Sequence, residues 1–306
     1  MSRDKSYIEA VTVLEAIRKS TEFLAKKGVE APRLQTELLL AHLLSMPRMK
    51  LYLNFERTFT PAETKALREL IKRRGMREPL QHIVGSSSFC GMDIAVNRHA
   101  LVPRPETEQL AERGWEFLNK LSVSSRQPSA STQTAALDFG TGTGCIAVAL
   151  AVKCPGAQIY ATDISQEALD LAGQNAARHD AAGRIQFLRG DGFAALPGNI
   201  LFDLIISNPP YIPSAEIQTL QPEVRDHDPR RALDGGPDGL DFFRKLAAGS
   251  RRFLKSDGRI MLEFGDGQAT SVQKIFREQN WIVEAMQKDY SQRPRILIAS
   301  NGDGAL

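Results

Sequence analysis

Two short segments of this 306-residue chain carry groups suited to chemistry. Phe202-Asp203-Leu204-Ile205-Ile206-Ser207 reads as a buried strand that delivers Asn208-Pro209-Pro210-Tyr211. Consecutive prolines fix their own φ angles and donate no hydrogen bonds. They therefore hold the Asn208 side chain and the Pro209 carbonyl as a rigid pair of acceptors, which suits the two hydrogens of a neutral, flat NH2 group. Tyr211 offers a face on which a planar group stacks. Positive charge growing on a nitrogen held this way would meet preplaced carbonyl oxygens. Asn-Pro also begins ordinary turns, so the motif draws its meaning from its neighbours.

The second segment is Ala136-Leu137-Asp138-Phe139, an apolar strand running straight into Gly140-Thr141-Gly142-Thr143-Gly144. Alternate glycines let the backbone turn sharply and approach a ligand where a Cβ would clash. The helix that follows presents unpaired N–H groups to negative charge, such as a carboxylate. The next strand ends on Asp163, placed to accept hydrogen bonds from ribose hydroxyls. A third strand ends at Asp191-Gly192-Phe193, suited to an adenine edge and face. These features by themselves allow a dinucleotide or S-adenosylmethionine. The glycine spacing lacks the full pyrophosphate pattern, and the Asn208 motif, which needs an electrophile beside a nitrogen, settles the reading on S-adenosylmethionine.

The surrounding pattern supplies elements to position these groups. Strands are expected near 135–139, 158–162, 185–189, 202–207, 258–264, 281–285 and 295–300, and helices near 144–152, 165–178, 239–254 and 267–278. That rhythm calls for an α/β fold with a doubly wound, mostly parallel sheet, whose ligands sit at the carboxyl ends of its strands. The first 80 residues read as helices: Ile8, Val11, Leu14, Ile17 and Leu24 recur at helical spacing. A third helix begins at Thr60-Pro61 with Glu63 behind it and runs to about Gly75. Lys72, Arg73, Arg74 and Arg77 cluster at its end, most simply as a solvated helix terminus. Residues 81–102, with Ile83, Val84, Phe89, Ile94 and Val96 broken by Gly85 and Gly91, suggest a β-hairpin linker. A helix follows from Arg104 to Leu118, and the polar stretch 122–134 reads as a linker or loop tip.

Composition excludes several classes. With 39 basic and 36 acidic residues the net charge is only +3, which permits a nucleic-acid partner without arguing for one. The three cysteines, Cys90, Cys145 and Cys154, have no disulfide or zinc spacing and read as free thiols, and no metal site is expected. The N-terminal segment lacks a continuous apolar run, so neither a secretion signal nor a membrane span is expected, and the cytoplasm is the expected compartment.

The chain resembles the protein-(glutamine-N5) methyltransferases that modify peptide-chain release factors, over nearly its whole length. The resemblance is carried by Pro79 to Gly85, by Leu101-Val102-Pro103-Arg104-Pro105-Glu106-Thr107-Glu108, and by Asp138 to Gly144 with Asp163. It continues through Asn208 to Ile212, Ala232-Leu233-Asp234-Gly235-Gly236, Asp238-Gly239-Leu240 and Leu262-Glu263-Phe264-Gly265. It implies a seven-stranded, Rossmann-like class I methyltransferase domain over 103–306 and a small N-terminal helical substrate-recognition domain over 1–80. It further implies a monomer that transfers a methyl from S-adenosylmethionine to the glutamine of a release factor's Gly-Gly-Gln loop. Asn208 and the Pro209 carbonyl would hold the acceptor amide, with Tyr211 lining the pocket and Pro210 also binding substrate. Gly140 to Gly144, Asp163, Asp191, Gly192 and Asn208 would bind the cofactor. The family commonly carries an aromatic residue where Gly192 stands, so adenine stacking would either pass to Phe193 or be weaker. Arg104 and Glu106 either bind substrate or brace the helix they begin, and Glu263 stays open between the same readings. A ribosomal-protein glutamine methyltransferase is the nearest alternative. A nucleic-acid adenine-N6 methyltransferase is the next, since adenine also offers a flat NH2.

Overall fold

A computed structural model describes residues 11–124, 133–198 and 200–302. The chain divides into two units, one formed by residues up to Gly85 together with Gln221–His227, the other by Ser86–Leu220 and the chain from Asp228 onward.

The first unit is helical: Val13–Lys26, Pro32–Leu43, Arg48–Leu51, Pro61–Gly75, Leu80–Val84 and the short Pro222–Arg225. Two of these helices begin with reciprocal caps, Thr12 with Glu15 and Thr60 with Glu63, each satisfying two otherwise orphaned N–H groups. Val13, Ile17, Leu24, Leu39, Leu40, Leu51 and Ile71 form its core. Leu14, expected to face inward, is exposed, and Ile8 lies outside the described residues. Leu80–Val84 is a helix although Ile83 and Val84 suggested a strand. Gly85, at φ +85°, ends it in the left-handed region.

Within the basic cluster Lys72 is exposed, as a solvated helix end would have it, but the three arginines are paired. Arg74 is buried, donating from Nη2 to Glu223 Oε1 (2.6 Å) and from Nη1 to the Glu78 carbonyl (3.1 Å). Arg77 grips the same carboxylate with two bonds of 2.6 Å, and Arg73 pairs with Glu78. Burial alone would raise the Glu223 carboxyl, but the two guanidiniums outweigh it and hold it down at about 2.

The second unit opens with a hairpin, β1 (Ser86–Phe89) and β2 (Met92–Ala95), then the helix Pro105–Ser124. That helix takes in the first residues of the polar stretch expected to be a linker, and 125–132 lie outside the described residues. Seven further strands follow: β3 (Ala135–Phe139), β4 (Gln158–Asp163), β5 (Ile185–Arg189), β6 (Phe202–Ser207), β7 (Leu254–Glu263), β8 (Trp281–Lys288) and β9 (Pro294–Asn301). They form one sheet in the order β5-β4-β3-β6-β7-β9-β8, parallel except for β9, which runs antiparallel to both neighbours. The helix expected over 239–254 is shorter, Asp241–Gly249, and β7 begins before the expected 258.

Period-two alternation divides the sheet's two cores. Ala136, Leu204 and Ile206 pack on one face with Leu110 and Leu150; Leu137, Phe139 and Ile205 pack on the other with Phe243 and Phe276. Gly114 lets Pro105–Ser124 press against β6: a Cβ there would lie 3.0 Å from Ile206 Cδ1. This contact fixes the helix's first turn, and with it Arg104 to Thr107, near the carboxyl end of β6. The chain leaves β3 toward β4 and β5 on one side and returns to β6 on the other. The loops after β3 and β6 therefore face a topological switch point, where open sheets of this kind bind ligands. No helix among the described residues is long and apolar enough to cross a membrane.

Candidate active site

The loop after β3 is held in shape by its own hydrogen bonds. Gly140 and Thr141 N–H groups donate to the Thr162 carbonyl (2.9 Å each), and Gly144 N–H donates to Thr141 (2.8 Å). Gly140, Gly142 and Gly144 have φ of +75°, +55° and +78°, which only glycine adopts without strain. At Gly140 a Cβ would touch no protein atom, so its absence keeps open space; at Gly144 one would lie 2.8 Å from Ala172 Cβ. Beneath the loop, Asp138 is buried and accepts from Thr141 Oγ1 (2.6 Å) and Ala147 N–H (3.1 Å) with one oxygen. Its other oxygen has no partner among the described residues. Burial pushes this carboxyl up to about 7, against the pull of those two bonds. Asn175, fully buried, joins the loop to the hairpin: it donates to the Thr143 and Ala95 carbonyls and accepts from Ala95 N–H.

Over this loop lies a cavity of about 280 Å³. Of the residues singled out from the sequence, Gly140, Thr141, Gly142, Thr143, Asp163, Asp191, Gly192, Asn208, Pro210 and Arg104 line it. Asp163 accepts from Gly142 N–H (2.9 Å) and Ser165 N–H (2.9 Å), so it orders the loop as well as facing the cavity. Asp191 is largely exposed and pairs with Lys245. Gly192 has no room for a side chain: a Cβ would stand 2.4 Å from the Phe139 ring. That clash accounts for glycine where an aromatic residue was expected from the resemblance.

Five expected site residues are not on the cavity wall. Phe193 is buried, stacked on Phe253 at 5.2 Å and packed against Phe139 at 4.9 Å, and so belongs to the core. Gly144 and Pro209 are not themselves lining residues, although Asn208 and Pro210 on either side of Pro209 are. Glu106 is exposed on the helix's first turn, where an acid suits the dipole. Tyr211 turns its hydroxyl away from the cavity toward Glu263 Oε1 (3.4 Å), and its carbonyl accepts from Gln268 Nε2 (2.8 Å). Burial, reinforced by the Glu263 charge, pushes the Tyr211 hydroxyl upward in pKa. Arg104 reaches the wall while donating to the buried Asp228 carboxylate at 2.7 Å, which makes it a brace as well.

The sequence reading missed Thr107, His99, Ile164 and Arg231, all on the cavity wall. Ile164 is 54% exposed, an apolar side chain held at the surface of a polar strand end. Thr107 accepts from Asn208 Nδ2 (2.9 Å) and donates to Glu263 Oε2 (2.7 Å). Asn208 Oδ1 has no partner among the described residues. Glu263, undecided from sequence, is buried; burial pushes its carboxyl up to about 7, opposed by the Thr107 bond and favoured by the nearby Glu106 charge. Cys90, Cys145 and Cys154 are free thiols, pushed by burial to about 12, 12 and 11.

The donor set fits a sulfonium nucleoside: a glycine cradle with open space, an acid at the end of β4, an apolar wall residue at Ile164, and no requirement for a pyrophosphate. Asn208, with a neutral amide oxygen to offer, borders the same space.

Comparison with known proteins agrees. A family model described as the PrmC N-terminal domain matches residues 15–85, and one described as the methyltransferase small domain matches residues 118–223. A protein of Geobacter sulfurreducens named release factor glutamine methyltransferase is 44% identical over 88% of this chain and 89% of its own length. One of Chlorobaculum tepidum with the same name is 38% identical over 93% of this chain and 95% of its own. Among solved structures, the hMettl16 catalytic domain in complex with a MAT2A 3′UTR hairpin has a TM-score of 0.51 at 15% identity. It covers 78% of this chain and 84% of that one, a likeness of fold alone.

Proposed function

The chain belongs to the release factor glutamine methyltransferases, enzymes that depend on S-adenosylmethionine, and from that premise we propose its substrate and the roles of its residues. The acceptor is the side-chain amide of the glutamine in the Gly-Gly-Gln loop of a peptide-chain release factor. The enzyme acts as a cytoplasmic monomer, contacts the factor as a protein, and uses the helical unit to recognise it.

One observation carries the reading: Asn208, at the end of β6, and the glycine loop, at the end of β3, border a single cavity. Asn208 Oδ1 and the Pro209 carbonyl accept the two amide hydrogens and present the nitrogen to the donor side of the cavity. The glycine loop and Asp163 would hold the cofactor, and Ile164, in place of Phe193, would offer its base an apolar wall. When bound, S-adenosylmethionine supplies an electrophilic methyl whose carbon–sulfur bond breaks as the new carbon–nitrogen bond forms. The two carbonyl oxygens stabilise positive charge growing on the amide nitrogen. That nitrogen then sheds one proton, leaving N-methylglutamine and a neutral thioether. An amide is a weak nucleophile, so alignment supplies much of the acceleration. Tyr211 braces the loop from behind.

The test is transfer of labelled methyl from S-adenosylmethionine to purified release factor, with a Gln→Ala change in its Gly-Gly-Gln loop as control. Label on the intact factor alone supports the assignment. No label on either removes release factors as substrates and directs the search to ribosomal proteins, then to nucleic acid.

A further inference from the structure

Asn208 serves the proposed reaction only in one of its two amide orientations. Its side chain ends in an oxygen and an NH2 group of nearly equal size. With the oxygen toward the cavity it accepts from an incoming amide; rotated by half a turn, it presents two donors to two donors. The loop backbone does not decide between these, because it fixes only where the side chain begins.

With the Glu263 carboxyl ionised, the neighbouring hydrogen bonds do decide. A threonine hydroxyl carries a single proton. Thr107 places that proton on Glu263 Oε2 at 2.7 Å, so toward Asn208 it has only lone pairs to offer. Asn208 must therefore turn Nδ2 to Thr107, at 2.9 Å, and Oδ1 to the cavity. Glu263 is held in its role as acceptor from a second side, by the Tyr211 hydroxyl at 3.4 Å. Thr107 and Glu263 are both only 2% exposed, which keeps water from substituting for either partner. A buried hydrogen-bond chain of this kind keeps one direction while its terminal carboxylate is ionised and so can only accept.

We propose that Thr107 and Glu263 are positioning residues that fix the acceptor face of Asn208 toward the substrate amide, Glu263 acting through Thr107. The inference deepens the amide-methylation reading and rests on it for its kinetic consequence. The orientation of Asn208 itself is a property of the protein without substrate.

Two measurements on the full chain test it. In methyl transfer to release factor, Thr107→Val removes the hydroxyl at nearly constant shape and is expected to lower kcat about tenfold, the worth of one buried hydrogen bond. Affinity for S-adenosylmethionine stays within about twofold, since the change acts only in the transition state. Thr107→Ser keeps the hydroxyl and restores kcat. Should Thr107→Val fail to fold, Thr107→Cys replaces it, with a weaker donor and an intermediate kcat. A Val or Cys variant as fast as wild type, or a Ser variant as slow as Val, overturns the proposal. The second measurement needs no substrate: proton exchange at the Asn208 side-chain amide by NMR, in protein labelled with 15N-asparagine and assigned through Asn208→Asp. Slow exchange in wild type and Ser, and fast exchange in Val or Cys, supports the chain; equal exchange in all overturns it. If wild type leaves release factor unmethylated, the substrate assignment falls while the amide measurement still decides the orientation.

Discussion

Replacing Glu263 by glutamine tests how the protein bears a carboxyl in its interior. Glu263 is only 2% exposed, and burial raises its carboxyl from the ordinary 4.5 to about 7. A group whose folded value lies above its unfolded one favours the fold fully below the unfolded value, and that contribution is lost as pH rises through the folded value. For a change from 4.5 to about 7 the linkage amounts to about 3 kcal/mol. Between about pH 5 and about pH 8, wild type should lose about 2.5 kcal/mol through this residue alone. Glutamine does not titrate, so its stability relative to wild type should rise by that amount over the same interval. Asp138, also raised to about 7, is present in both proteins and does not contact Glu263, so its effect drops out of the difference. Urea unfolding of both proteins, followed by tryptophan fluorescence in matched buffers, reads the quantity directly; Trp281, at the start of β8, is buried and donates to the Ala247 carbonyl. A difference independent of pH, or one moving in favour of wild type as pH rises, would refute the reasoning.

The remaining expectations concern the cavity and its loop. Asn208→Ala should lower methyl transfer by about a hundredfold or more, as the loss of a preplaced dipole aimed at developing charge does, while calorimetry finds S-adenosylmethionine affinity within about twofold of wild type. Asp163→Ala withdraws the acceptor from Gly142 and Ser165 and should weaken S-adenosylmethionine binding about 10- to 100-fold by the same calorimetry. An unchanged affinity would remove Asp163 from the cofactor's contacts. Gly144→Ala combines φ of +78° with a Cβ 2.8 Å from Ala172. It should cost about 2 to 4 kcal/mol in urea unfolding; a loss under about 0.5 kcal/mol would show that the turn yields more easily than its geometry implies.

What could be read from the sequence was the chemistry that lies within single stretches of chain. Asn208 and the glycine loop each follow an apolar strand, and a strand end in such a sheet is already a place in space. Thr107 and Glu263 could not be found that way, because they acquire meaning only by meeting across the fold. Tyr211 and Phe193 show the opposite failure. Their types suit stacking, but residue type does not tell which way a ring turns, and here one turns to Glu263 and the other into the core. Ile83 and Val84 misled for a local reason: a short apolar run fits a buried strand and a short helix equally. Arg74 and Arg77 looked like part of a solvated end because their partner, Glu223, lies far along the chain. Even the shape of residue 192 was legible only in part. Its glycine was plain, but the Phe139 ring that demands it was not.

The position of β9 has a consequence for the order in which this protein can be made. β9 follows β8 in the chain yet lies between β7 and β8, so on the ribosome β8 emerges before the strand that links it to the sheet. Until Pro294–Asn301 arrives, β7 keeps a bare edge, and Glu263 lacks both its pairing with Ile296 and the nearby charge of Arg295. Unpaired edges of this kind recruit other chains. A polypeptide halted before Pro294 would thus carry every motif of the cavity and still leave an adhesive strand beside it.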